Sequence, residues 1–91
     1  MNKTITCELI VVGNVQGVGL RKKIKTKAEK LSLTGNAANL LPPICGVKII
    51  LQGQWTSIVN LSAWLKETKG VTEVESHRIF DHRVFEKFET K

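Results

Sequence analysis

The residues best suited to chemistry lie in a glycine-rich segment, residues 13–21, which reads Gly-Asn-Val-Gln-Gly-Val-Gly-Leu-Arg. Glycines at three of these positions exclude regular structure and predict a loop. Where such a loop leads into a helix, several backbone N–H groups point at one spot, and the positive end of the helix adds to the anion site. Arg21 supplies a planar, two-pronged donor for a phosphoryl group. The segment indicates a phosphate cradle, although such turns also form for backbone reasons alone.

The elements that position this loop follow from hydrophobic periodicity. Residues 5–12 are aliphatic and β-branched and predict a buried strand. From Leu20, apolar residues recur every three or four positions and predict a helix ending around Ser32. The later elements are a strand at 36–40, a connection at 41–45, a strand at 47–52, a helix from a cap at Thr56 or Ser57 to Lys69-Gly70, and strands at 73–80 and 84–89.

This order of elements predicts the fold class. A chain that runs strand, helix, strand, strand, helix, strand packs two helices on one face of an antiparallel sheet. The prediction is an α+β, ferredoxin-like split βαβ sandwich with a short final strand. Because 91 residues with 42% hydrophobic content suffice for one core and are too few for two, we expect a single domain over 1–91.

Composition limits the partners and the compartment. A net charge of +6 favours anionic partners, although the lysines after Arg21 suit a solvated helix face better than dedicated polyanion binding. The apolar run at 9–12 is too short for a signal peptide or a membrane span. Cys7 and Cys45 are too far apart for a metal knuckle, and His77 and His82 lack neighbouring ligands. We therefore expect a cytoplasmic monomer with reduced cysteines, no bound metal and no membrane contact.

Two motifs carry a resemblance to a known family. Residues 13–21, followed by Thr-Gly-Asn-Ala-Ala-Asn-Leu at 34–40, closely resemble the two signatures of the acylphosphatase family. The resemblance continues through 47–53, 64–65 and 85–88. It implies a ferredoxin-like fold and hydrolysis of acyl phosphates without metal or cofactor, with inorganic phosphate as product and competitor. By resemblance, Arg21 anchors the phosphate, Asn39 places the attacking water, and the cradle is the backbone of Val15, Gln16, Gly17, Val18, Gly19 and Leu20.

The implied chemistry suits this sparse set of groups. Hydrolysis of an acyl phosphate expels a carboxylate, whose conjugate acid has a pKa of about 4, so no general acid is needed at neutral pH. What remains is to hold the phosphoryl group, offset its charge and align a water. The carboxamide of Asn39 both accepts from and donates to a water without ionising. A placing role therefore fits Asn39 better than proton abstraction.

Two departures from the family pattern support a rival hypothesis. Leu20 stands where the family usually has phenylalanine, which leaves less volume beneath the cradle. The connection at 41–45 is longer and more apolar than the family's turn, and we expect it to pack against the sheet edge rather than cover the site. The rival is an anion-binding module with little turnover.

A third hypothesis, an RNA-binding domain, is suggested by the lysines. It is opposed by the absence of tyrosine and of paired strand aromatics. No aromatic residue interleaves with the lysine cluster, so Trp55 and Trp64 are expected in the core or at its rim.

Overall fold

The computed structural model describes residues 4–14, 19–80 and 83–91. In these ranges the elements are β1 (Thr4–Gly13), α1 (Leu20–Lys30), β2 (Thr34–Asn39), β3 (Gly46–Gln54), α2 (Trp55–Lys66), β4 (Val71–Ile79) and β5 (Phe88–Thr90). The two helices pack on a five-stranded sheet of order β4-β1-β3-β2-β5. The α+β, ferredoxin-like class predicted from the order of elements is confirmed.

The sheet departs from the prediction at its last strand. β4, β1, β3 and β2 pair antiparallel, whereas β5 pairs with β2 in parallel. The observed strand is Phe88–Thr90, so only residues 88 and 89 of the strand predicted at 84–89 join the sheet. The side chain of Gln52 explains this, because its amide donates to the Arg83 carbonyl at 2.7 Å and its oxygen accepts from the Phe85 N–H at 2.9 Å. These backbone groups are bound by a side chain instead of a strand.

The core lies between the sheet and the helices. On β1 the buried residues that face the helices alternate with less buried ones. On β3, Val47, Ile49 and Leu51 belong to the core, and Ile50 and Gln52 on the opposite face are buried as well. The stripe predicted on α1 is confirmed, since Leu20, Ile24 and Ala28 are buried. Further core residues are Ile5, Cys7, Leu9, Val11, Leu33, Ala37, Val47, Ile49, Leu51, Ile58, Leu61, Leu65 and Phe88.

The start of α2 differs from the predicted cap at Thr56 or Ser57. The helix begins at Trp55, directly after β3, and its N-cap is Gln54 in an extended conformation with no side-chain cap hydrogen bond. Because the strand runs into the helix without a loop, Thr56 and Ser57 lie inside the first turn. The last helical residue is Lys66, and Thr68 donates its hydroxyl to the Trp64 carbonyl at 2.9 Å.

The second strand begins at Thr34, in what the sequence predicts as a turn. Gly35 makes this possible. Its N–H donates to the Lys87 carbonyl at 3.1 Å, and a Cβ built on it would lie 1.8 Å from the Ile50 carbonyl oxygen. Only glycine fits so close to β3, and its φ of +136° also favours glycine. The strand therefore extends two residues earlier than its hydrophobic pattern indicates.

The two cysteines are free, with Cys7 buried and Cys45 exposed. Cys7 pairs with Leu51, six residues after Cys45 along the chain, which separates the cysteines by about 20 Å at a rise of about 3.3 Å per residue. Burial raises the pKa of the Cys7 thiol, and Arg78 partly offsets that rise. A raised pKa leaves less of the reactive thiolate at neutral pH.

We therefore expect an aromatic disulfide reagent to modify Cys45 rapidly and Cys7 only after unfolding. Mass spectrometry of the native and denatured protein measures both steps. An intramolecular disulfide in the non-reduced protein would contradict this arrangement of strands.

Candidate active site

The strand register brings the predicted site segments to one end of the sheet. β1 and β2 are both antiparallel to β3, so they run in the same direction. Val47, near the start of β3, pairs with Val11 on one side and with Asn39 on the other. The loop that follows β1 and the end of β2 therefore lie at the same end. The Gly13 N–H donates to the Cys45 carbonyl at 3.0 Å and holds that end together.

Asn39 ends β2 on the helix-covered side. Side chains two positions apart on a strand share a face, and Ala37, two residues earlier, is buried in the core. Asn39 is exposed because it lies beyond the core at the strand end. Within the described ranges, no hydrogen bond engages its carboxamide. Both polar groups of this side chain are therefore available to a water or a substrate.

Arg21 occupies the first turn of α1 and is half-buried. Its Nη1 donates to the main-chain oxygen of Lys91. The Lys91 N–H in turn donates to the Ala37 carbonyl at 2.8 Å. This chain of contacts connects the guanidinium to β2 two residues before Asn39. Sequence reasoning missed Lys91, because a backbone oxygen leaves no signal in residue type.

The start of α1 has no side-chain cap and no acidic residue. Gly19 is the N-cap, with a left-handed φ of +72°, and the first turn contains no acidic residue. Glycine has no side chain to cap the first N–H groups, so they remain donors for a ligand. Leu20 is buried beneath this turn. The other cradle residues predicted from the sequence, Val15, Gln16, Gly17 and Val18, lie outside the described residues.

The connection after Asn39 does not pack against the sheet edge, so that prediction is wrong. Leu41 is 83% exposed and Ile44 is 54% exposed. Pro42 and Pro43, joined by a cis peptide bond, form a turn in which the Ile44 N–H donates to the Leu41 carbonyl at 3.3 Å. Proline has no N–H for a strand ladder, so the chain turns outward. Two apolar side chains thus stand beside the end of β2.

The charges around the site are strongly positive. α1 carries Arg21 and five lysines against a single acid, Glu29. Two ion pairs, Glu8–Lys48 and Glu75–His77, lie outside α1. The field of the uncompensated helix attracts anions to its N-terminal end.

The described residues contain no cluster of three or more His, Cys, Asp or Glu that could hold a metal ion. On β4, the Nε2 atom of His77 lies 3.6 Å from the Oε1 atom of Glu75. His82 lies outside the described residues. None of the helices described is long and apolar enough to cross a membrane.

Comparison with known proteins identifies the family of this chain. Residues 7–90 match the family model named Acylphosphatase. The acylphosphatase of Bordetella parapertussis is 33% identical over 86 residues, which cover 91% of this chain and 89% of that protein. The chain belongs to the acylphosphatase family.

Solved acylphosphatase structures agree with the fold. That of the acylphosphatase from Coxiella burnetii has a TM-score of 0.88 and 31% identity, and the match covers 99% of this chain and 94% of that one. The acylphosphatase from Bacillus subtilis has a TM-score of 0.86 over 96% of this chain. At 23% identity it supports the fold alone. The resemblance seen in the two sequence motifs is therefore confirmed at the level of family and fold.

Proposed function

We propose that this chain hydrolyses acyl phosphates to a carboxylate and inorganic phosphate, and that it needs neither metal nor organic cofactor. One observation carries the proposal: in a chain of the acylphosphatase family, Arg21 and Asn39 lie at the same end and on the same face of the sheet, beside the start of α1.

In the proposed mechanism, Arg21 holds the phosphoryl group together with backbone N–H groups of residues 15–20. The bond to the Lys91 oxygen orients the guanidinium, which leaves its other N–H groups for the phosphoryl oxygens. The positive charge of Arg21 and the helix dipole offset the charge of the transition state. The cradle thus does most of its work by position and electrostatics.

Asn39 places the attacking water. Its carboxamide oxygen accepts from the water and its NH₂ group donates to a phosphoryl oxygen or to the water itself. The water oxygen forms a bond to phosphorus as the bond from phosphorus to the acyl oxygen breaks. The carboxylate leaves without protonation, and a phosphoryl oxygen receives the proton of the water. No protein group changes its protonation state in this scheme.

The direct test is a continuous assay of benzoyl phosphate hydrolysis with the purified protein in the presence of a chelator. We expect turnover that the chelator does not reduce. Phosphate binding without turnover would instead favour the anion-binding module, the hypothesis that Leu20 and the extended 41–45 connection support.

We further propose that residues 1–91 act as one domain and as a cytoplasmic monomer. All the described elements share a single core, which supports the first proposal. Light scattering coupled to size-exclusion chromatography measures the molar mass of the native protein and tests whether it is a monomer.

Inorganic phosphate should compete with the substrate, because product and substrate present the same anion to Arg21. Both should bind more weakly as salt rises, since the field of α1 is screened over about 10 Å at 0.1 M salt. Initial rates at several phosphate and salt concentrations measure this. A lack of inhibition at millimolar phosphate would count against the cradle.

The hydrolytic rate should stay nearly constant between about pH 6 and 8. An arginine remains charged and a carboxamide does not titrate over this range, and the substrate's phosphoryl group is mostly ionised. Turnover of benzoyl phosphate across this range, for the wild type and for His77→Gln, measures the profile. A bell-shaped curve that disappears in the variant would require a general base that the proposal does not contain.

A further inference from the structure

A groove of about 610 Å³ runs between the two helices, and the proposed hydrolysis does not use most of it. One wall is α1, which contributes its N-cap glycine, four lysines and a threonine. The other wall is Trp64, from the last turn of α2. The residues lining the groove are Gly19, Lys22, Lys23, Thr26, Lys27, Lys30 and Trp64.

The four lysines form a line of charge along α1. Lys23, Lys27 and Lys30 follow one another at intervals of four and three residues, which puts successive Cβ atoms about 5–6 Å apart. Over its 11 residues the helix is about 16 Å long. Positive charge therefore extends from the start of the helix to its last residue, which suits an extended chain of anions better than a single small anion.

None of these lysines has an ion-pair partner in the part of the chain that the structure describes. Like charges three and four residues apart repel one another and destabilise a helix. Glu29 is the one acid on α1, and α2 contains none. The repulsion is thus left uncompensated along the whole groove, and a bound polyanion would relieve it.

Trp64 supplies the aromatic surface that the lysine segment lacks in sequence. Its side chain is half-buried, packs against the core and also lines the groove. The core fixes the indole in place, so little conformational entropy remains to be lost when a planar ring stacks on it. Seen in sequence, the lysines have no aromatic neighbour, but α2 brings one to them.

From these observations we propose that the groove between α1 and α2 binds single-stranded nucleic acid, with the lysines contacting phosphates and one unpaired base stacking on Trp64. Aromatic stacking combined with a basic track is how proteins bind single strands without reading sequence. A duplex keeps its bases stacked on one another and offers none to the indole. A membrane surface is flat and would leave the concave groove unfilled. This proposal does not rest on acyl phosphate hydrolysis, and among the described residues the groove shares only Gly19 with the proposed phosphate cradle.

The first measurement is fluorescence anisotropy of labelled oligouridine and oligothymidine of about twelve nucleotides, titrated with the full chain at several salt concentrations. Each neutralised phosphate contributes about −0.7 to the slope of log affinity against log salt for single strands. Four lysines predict a slope of about −3. Equal affinity for RNA and DNA would show that only their shared backbone and bases are recognised, and a preference for RNA would add a 2′-hydroxyl contact to the same groove.

Two double variants of equal net charge separate the groove from the overall charge. Lys23→Gln with Lys27→Gln removes two groove lysines, whereas Lys48→Gln with Lys87→Gln removes two lysines outside the groove. We expect the first pair to reduce the magnitude of the slope by about 1.4 and the second to leave it nearly unchanged.

The two tryptophans give a second, independent readout. Trp55→Phe leaves Trp64 as the only tryptophan, and Trp64→Phe leaves Trp55. Oligonucleotide should quench the indole fluorescence of the Trp55→Phe variant and not that of the Trp64→Phe variant. Trp64→Ala should weaken binding about five- to 150-fold, and thermal melting checks that this variant is folded.

Four results would overturn the proposal. The first is no anisotropy change at low salt. The second is equal loss of binding in the two double variants, which would reduce the interaction to net charge. The third is quenching that does not depend on Trp64. The fourth is preferential binding to phosphatidylserine vesicles or inorganic polyphosphate over the oligonucleotides.

Discussion

Arg21→Ala is expected to remove both phosphate binding and turnover of benzoyl phosphate. The substitution deletes the charged fork that contacts the phosphoryl group, and each hydrogen bond to a charged group contributes about 1.5–3 kcal/mol. With two prongs lost, phosphate affinity should fall more than about a hundred-fold, and turnover should fall with it. Isothermal titration calorimetry with phosphate and initial rates with benzoyl phosphate measure the two effects.

Two further variants control this experiment. Lys25→Ala removes one positive charge from the same helix, at a position that belongs to neither the site nor the groove, and should leave both measurements nearly unchanged. Arg21→Lys keeps the charge but not the planar fork and should lie between wild type and alanine. Because Arg21 also bonds the Lys91 oxygen, thermal melting must show that each variant is folded. Unchanged phosphate affinity in folded Arg21→Ala would exclude Arg21 as the anchor.

Asn39→Ala should fail in a different way. The cradle stays intact, so the dissociation constant of phosphate should change little. Loss of one positioned polar group at a reacting centre typically costs about 2.7–4 kcal/mol, or roughly a hundred- to a thousand-fold in rate. We expect that loss in kcat. Asn39 is exposed at the end of β2, so the fold should tolerate the change.

Asn36→Ala is the matched control for this position. It removes the same side chain from the same strand, three residues earlier and therefore on the opposite face of the sheet. Its rate should stay near that of wild type. A folded Asn39→Ala protein that hydrolyses benzoyl phosphate as fast as wild type would rule out the water-placing role.

Much of the fold is predictable from the sequence because apolar residues recur at the period of the helix or strand whose face they bury. The spacing of apolar residues is enough to identify the buried faces of α1 and β3. The predicted element boundaries are wrong where contacts between distant residues set them. Gln52 binds the backbone of residues 83 and 85 and shortens the last strand, and β3 runs directly into α2, which leaves no place for a capping loop.

The site is predictable only in part for a similar reason. Residue types and motifs indicate Arg21 and Asn39, and the register then brings them to one end of the sheet. The Lys91 oxygen is 70 residues from Arg21 and carries no side-chain signal. The exposure of Leu41 and Ile44 runs against the usual burial of apolar residues. The meeting of Trp64 with the lysines depends on how two helices pack, which their separate patterns do not specify.

The bond between Arg21 and Lys91 couples the guanidinium to the residue that follows β5, so local opening there changes the site. β5 has three residues and lies at an edge, and Phe88 anchors its start in the core. The exposed residues after Phe88 open locally at lower free energy than a core strand. Each opening would release the Lys91 N–H from the Ala37 carbonyl and the guanidinium from its anchor at the same time. The hydrogen-exchange rate of the Lys91 amide in the ligand-free protein therefore reports how often the bond between Arg21 and the Lys91 oxygen opens.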